Sequence, residues 1–273
     1  MKIFKIATIV IFGTLLSFTG YSQKLTASFS MGYGSGLAKN DFDFNRTRTT
    51  NVDDRESVKY SLGKGLQLNG SMGYILNENM EAELGISYLM GGKTESVQTD
   101  LRDPASITTD THTISAKALS FAPGLVFKSK AAGSLQPYAK LGIVLSLPSI
   151  TDEYHSQDTG GPDVWHEVWK YKGGMATGFT SAVGATYKMG SFDLFGELYV
   201  TSLSYAPKEG EMTESSFNGT NLLPNRDVID KQVQFVDSYN RQTNIPNTSP
   251  NPVLKTYYPL SNWGLKVGVK FNF

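Results

Sequence analysis

Over the last eleven positions, Trp263-Gly264-Leu265-Lys266-Val267-Gly268-Val269-Lys270-Phe271-Asn272-Phe273, bulky apolar residues alternate with Gly, Lys or Asn without a break. A period of two places the apolar set on one face of a β-strand and the polar set on the other. Seven earlier segments follow the same rule: 25–34, 66–76, 80–90, 119–128, 136–146, 175–188 and 192–201. In the first, Leu25, Ala27, Phe29, Met31 and Tyr33 oppose Thr26, Ser28, Ser30, Gly32 and Gly34. The pattern is diluted in two places. Thr177 and Ser181 fall on the apolar side of the sixth segment, and Phe195 and Tyr199 on the polar side of the seventh. Pro123 and Pro137 each remove a ladder donor, which predicts a bulge or strand end there.

The connections alternate in length. Asn77 to Asn79, Ser129 to Ser134 and Met189 to Ser191 are short, whereas 35–57, 91–113, 147–172 and 206–259 are long and polar. About 9–11 tilted residues carry a strand across a bilayer, and short turns alternating with long loops mark an outer-membrane barrel. The pattern therefore predicts an all-β fold: an eight-stranded antiparallel up-and-down transmembrane β-barrel with four long extracellular loops and short periplasmic turns. An even strand number puts both termini in the periplasm. Aromatic residues agree, with Tyr74, Phe127, Tyr187, Phe192, Phe271 and Phe273 at one rim and Tyr33, Tyr88 and Trp263 at the other. A soluble β-sandwich also alternates, but nothing in it requires the loops to alternate in length.

Composition narrows the choice further. Residues 1–22 carry Lys2 and Lys5, an apolar run from Ile6 to Phe18, then Gly20 and Ser22: the parts of a cleaved signal peptide, leaving 23–273 as the barrel domain. The chain has no cysteine, so disulfides, thiolate metal sites and a lipid-anchoring cysteine are excluded. A formal net charge of zero with 18% charged residues leaves no basic footprint for nucleic acid. Mean hydropathy is slightly negative, which argues against a helical membrane protein but suits strands that show lipid only alternate residues.

The stretches Leu135-Gln136-Pro137-Tyr138-Ala139-Lys140-Leu141-Gly142 and Leu119-Ser120-Phe121-Ala122-Pro123-Gly124-Leu125, with the Phe273 terminus, resemble the small eight-stranded outer-membrane β-barrel proteins. That group includes OmpX-like, OmpW-like and OmpA-barrel-like members, and the likeness is greatest to the porin-family or PorT-like barrels of Bacteroidota. The resemblance implies a Gram-negative outer membrane, contact with its lipid or lipopolysaccharide, and recognition by the outer-membrane assembly machinery, with Phe271 and Phe273 in the terminal aromatic signal. It also leaves open a narrow porin or small-solute carrier of OmpW-like type, and a PorT-like secretion accessory.

Such a barrel is wide enough only to be filled by its side chains or to hold one small ligand. Glu81, Glu83, Lys128, Lys140, Lys188, Asp193, Glu197 and Lys270 fall on the inward face in the periplasmic half, with Lys266 nearer the middle. Opposite charges in such a space pair and close it. The outer half is lined by small residues, Ser30, Gly32, Gly34, Ser120, Gly178 and Gly264, which suit a shallow outward-opening cavity or a seat for an inserted loop, or else simply close strand packing. His112, His155 and His166 fall in the outer loops with no catalytic motif spacing, so no enzyme is expected. Asp152, Glu153, His155, Asp158, Asp163, His166 and Glu167 match no metal motif and suit a solvated loop; no metal or cofactor is expected. Trp165, Trp169 and Tyr171 in the third loop are a candidate contact surface for another envelope protein. The expected function is non-enzymatic: surface interaction, or a subunit of an envelope complex, above a plugged lumen.

Overall fold

Alternation becomes pairing in the computed structural model, which describes residues 24–37, 39–161, 163–239 and 245–273; the expected leader, 1–22, lies outside these residues. The described chain is almost wholly β, with helix confined to Leu223–Asn225 and Val228–Lys231. The eight alternating segments are strands β1 (Leu25–Gly36), β2 (Gly65–Asn77), β3 (Met80–Gly91), β4 (Thr108–Lys128), β5 (Leu135–Asp158), β6 (Ala176–Lys188), β7 (Asp193–Ser202) and β8 (Asn262–Asn272). Each pairs antiparallel with its neighbours in this series, and β8 pairs back onto β1 from Asn272 opposite Thr26 to Asn262 opposite Gly36. The pairing is thus a closed cycle. Between β4 and β5 it lapses at Ala122 and Pro123 and resumes at Gly124 in the same register, as the missing proline donor requires.

The two faces of this ring differ as the period of two dictates. Phe29, Met31, Leu141, Phe179, Leu265 and Val267 point outward and are each more than half exposed, while Thr26, Ser28, Gln67, Glu81 and Glu197 point inward and are buried. Tight turns close one end. Asn77 Oδ1 accepts from the Asn79 amide at 2.9 Å, and Gly133 and Gly190 take the positive φ of 65° and 90° that a side chain would resist.

At the other end the expectation of four long loops is corrected. The eight strands belong to one sheet of 16, because β4 and β5 run on for 21 and 24 residues and carry further strands with them. Beside β4 lie Thr94–Asp100, then Asn40–Arg48, paired with it in parallel, then Asp53–Tyr60. Beside β5 lie Val164–Lys172, then Glu209–Phe217, then Gln232–Val236, then Asn251–Leu254, again parallel. In Thr94–Asp100 and Asp53–Tyr60 polar residues fall on both faces, and in the others isolated apolar residues such as Met212 and Phe235 are buried without a run of alternation, so no period of two marks these strands.

Where sheet and ring meet, an apolar core forms from Tyr60, Leu62, Leu89, Ile114, Ile150, Leu203, Tyr205 and Leu260, with Tyr171 and Tyr258 packed against it. Leu62 and Leu260 come from connecting segments, and both are almost fully buried. They sit across the mouth of the ring.

The lumen and outer sheet as candidate functional site

Charged side chains fill the lumen near the turn end. Glu81 on β3 has no exposed surface; Lys128 of β4 approaches it at 2.5 Å and Lys270 of β8 at 2.7 Å, and Thr26 of β1 donates its hydroxyl at 2.5 Å. A second group lies alongside. Lys140 of β5 contacts Glu83 at 3.1 Å and Glu197 at 3.2 Å, Lys266 reaches Glu197 at 3.8 Å, and the Tyr138 hydroxyl donates to Glu197 at 3.0 Å. Aromatic faces complete the packing, with the Lys266 ammonium 4.0 Å from the centre of the Tyr199 ring and Lys140 over Tyr138 and Phe195. The free space at this level is about 20 Å³, room for about one water molecule.

Seven of the nine residues expected in this cluster are therefore brought together by ion pairs: Glu81, Glu83, Lys128, Lys140, Glu197, Lys266 and Lys270. The other two are not. Asp193 is buried but accepts from Asn272 Nδ2 at 3.0 Å, and no lysine pairs with it among the described residues. Lys188 is exposed at the end of β6, where the strand gives way to the turn, and its side chain lies outside the cluster. Sequence parity had already set Phe195 and Tyr199 inward as apparent flaws in the pattern. They are the aromatic partners of the lysines.

The glycines of the inward face do different work from lining an open cup. A Cβ on Gly73 would collide with Glu81 Oε1 and stand 2.5 Å from the Thr26 hydroxyl, and one on Gly34 would stand 2.6 Å from the Tyr199 hydroxyl. Both positions clear a path for side chains that cross the lumen.

Above the charged floor lies a cavity of about 130 Å³, lined by Ser30, Asn69, Ser87, Ser120, Tyr199 and Asn262 among others. On the sheet side Leu203 and Leu260 line this cavity, and with Leu62 they pack as a partial roof beneath the outer sheet. Backbone bonds fix the roof: Leu62 N donates to Pro259 O at 2.9 Å and Leu260 N to Leu203 O at 3.0 Å, while Ser61 Oγ donates to Ser261 O at 3.1 Å. Single leucines in polar, glycine-containing stretches carry no periodic signal. That is why this second closure was missed.

The outer sheet gathers the expected loop residues onto neighbouring strands. His112 Nε2 lies 2.6 Å from Asp152, and its Nδ1 lies 3.6 Å from Asp43. Burial disfavours the charged imidazole, but Asp152 and then Asp43 outweigh it, so the pKa of His112 is raised. Burial likewise opposes ionisation of Asp43, yet hydrogen bonds led by the one from Ser96 leave its pKa lowered. His166 is 3.2 Å from Glu153 and 6.0 Å, ring to ring, from His155. No group of three or more metal-ligating side chains forms among the described residues. Trp169, Tyr171 and Tyr258 stack in series, and Trp165 packs on Phe217 beneath the guanidinium of Arg226. The three candidate contact aromatics are thus half-buried structural members rather than free side chains. Phe271 packs near Phe192 at 6.5 Å, and the Phe273 amide donates to Leu25 O at 2.8 Å, holding the chain end on β1.

No family model matches the chain, and no curated protein matches it in sequence. Among solved structures, it is similar to Neisserial surface protein A at 12% identity, covering 91% of this chain and 96% of that one, TM-score 0.39. It is also similar to the outer membrane protease OmpT from Escherichia coli at 10% identity, covering 94% and 99%, TM-score 0.39. A third is Ail, the attachment invasion locus protein of Yersinia pestis, at 12% identity, covering 91% and 99%, TM-score 0.27. At these scores no property of those proteins carries over to this chain.

Proposed function

We propose that the protein is a closed eight-stranded transmembrane β-barrel of a Gram-negative outer membrane, with the turn end and both termini periplasmic. Its role is to hold a folded sheet outside the membrane for contact with another envelope component, without enzymatic activity. The observation that carries the membrane assignment is the continuous outward apolar face, with Phe29, Phe179 and Leu265 each more than 60% exposed. A contiguous surface of this kind in water would be unstable toward association, whereas lipid covers it. Tyr33, Tyr88 and Trp263 toward one rim and Tyr74, Phe127 and Tyr187 toward the other match the two girdles of such a barrel.

The display role rests on the lumen and the sheet together. A lumen occupied by ion pairs below and leucines above offers solutes no aqueous path, and the chain invests its longest strands in the region beyond the apolar belt. Because the chain has no native cysteine, sidedness is directly measurable. Asp54→Cys at the sheet end should react with a membrane-impermeant maleimide on intact cells, and Glu78→Cys at the turn end only after permeabilisation. Labelling of both on intact cells would contradict the orientation.

A further inference from the structure

His155 of β5 and His166 of the neighbouring strand Val164–Lys172 stand directly opposite each other in an antiparallel pair. Side chains so placed share a face of the sheet and start from Cβ atoms about 4.5–5.5 Å apart. The two imidazoles meet edge to face with ring centres 6.0 Å apart, and both are only partly buried. Glu153 lies two residues before His155 and therefore on the same face, with its Oε1 3.2 Å from His166 Nε2. Glu214, from the strand on the other side, faces the remaining nitrogen of that ring, Nδ1, at 3.9 Å. Two imidazoles and two carboxylates thus converge on one patch of the outer sheet.

From this convergence we infer that the patch is a chelating site for one late first-row divalent cation, of which Zn²⁺ is the type, bound by His155, His166 and Glu153. The Glu153–His166 contact carries the geometry. Donors bound to one zinc ion at about 2.0–2.1 Å stand about 3.3 Å apart at the tetrahedral angle, so this oxygen and nitrogen already occupy two corners. The third corner needs His155. Two imidazoles on one such ion have ring centres about 5 Å apart, so His155 falls short by about 1 Å, which a turn of its side chain closes without moving the strands. With the metal on Nε2 the proton of His166 resides on Nδ1, where the Glu214 carboxylate fixes the tautomer, as outer-shell carboxylates do for zinc histidines. Imidazole with carboxylate favours zinc, copper or nickel over calcium and magnesium, which take oxygen donors. One group opposes the ion. Lys93 Nζ reaches the other oxygen of Glu153 at 3.4 Å, but its side chain is 70% exposed and can turn to solvent. A fourth corner is left for water. The inference goes beyond display of the outer sheet, and it holds for the purified chain whichever partner that sheet meets.

Calorimetric titration of Zn²⁺ into the purified, tag-free full chain in lipid nanodiscs tests it. The wild type should bind one ion per chain, and Co²⁺ in its place should give the visible absorption of a tetrahedral centre. His155→Ala and His166→Ala should each weaken binding about 100-fold, since loss of a supporting residue alone costs about 10–100-fold. Both histidines are partly exposed, so neither change empties a core. Lys93→Ala should tighten binding about threefold by releasing Glu153, a gain that misfolding cannot imitate. Absence of stoichiometric Zn²⁺ binding by the wild type would overturn the site. So would an affinity that His155→Ala leaves unchanged or that Lys93→Ala fails to raise.

Discussion

Glu81 shows how one residue can hold a lumen closed. Two ammonium groups and a hydroxyl surround its carboxylate, and the Cα of Gly73 leaves the space it occupies. Removing one member strands the others. Glu81→Ala should therefore lower unfolding free energy in lipid vesicles by about 3–5 kcal/mol, the cost of a buried charge left without its partner. Replacing Glu81, Lys128 and Lys270 together by Met should recover most of that loss, because no charge is then left uncompensated. A triple variant as unstable as the single one would show that the ion pairs contribute more than mutual neutralisation. Gly73→Ala tests the space itself. It should cost about 1–3 kcal/mol by overpacking, and a neutral result in the same unfolding titration would mean that Glu81 can move aside freely.

At the scale of elements, His112 on β4 ties the outer sheet together through Asp152 of β5 and Asp43 two strands away, and this contact titrates. A raised pKa means that the His112 contribution is fully present below its unfolded value of 6.5 and is lost as pH rises through the higher folded value. Asp43 has a lowered pKa, so its contribution is present above its unfolded value of 3.8 and fades as pH falls below that. Protection of the amides of 108–114 and 150–156 in hydrogen exchange, corrected for intrinsic rates, should be greatest between these limits. It should decline on the alkaline side, and His112→Gln should remove that decline. A flat profile from pH 5 to 9 in the wild type would count against the assignment. The eight ring strands were legible in the sequence because the outward and inward faces impose opposite demands on alternate residues, as exposed Phe29 and buried Ser28 illustrate. Strands such as Thr94–Asp100 and Asp53–Tyr60 were not, since polar residues serve on both of their faces. The same distinction explains the candidate site. Parity alone set Glu81, Lys140 and Lys270 inward, but it could not reveal that Lys188 lies past the last lumen-facing level, or that Thr26 and Tyr138 complete the network.

For the molecule as a whole, two unlike closures stand at different depths: paired charges near the turns, and leucines under the outer sheet. On the proposed function the two together leave the chain a sealed body rather than a channel, and the sheet above is the part that meets the surroundings. Either closure alone obstructs the lumen, so neither Lys266→Ala with Lys270→Ala nor Leu62→Ala with Leu260→Ala should open a stable path by itself. Planar-bilayer recording on the purified wild-type chain tests the central claim most directly. A membrane containing the protein should show no stable, reproducible conductance steps, and steps should emerge only when both pairs of substitutions are combined. Uniform steps from the wild type would contradict the sealed lumen.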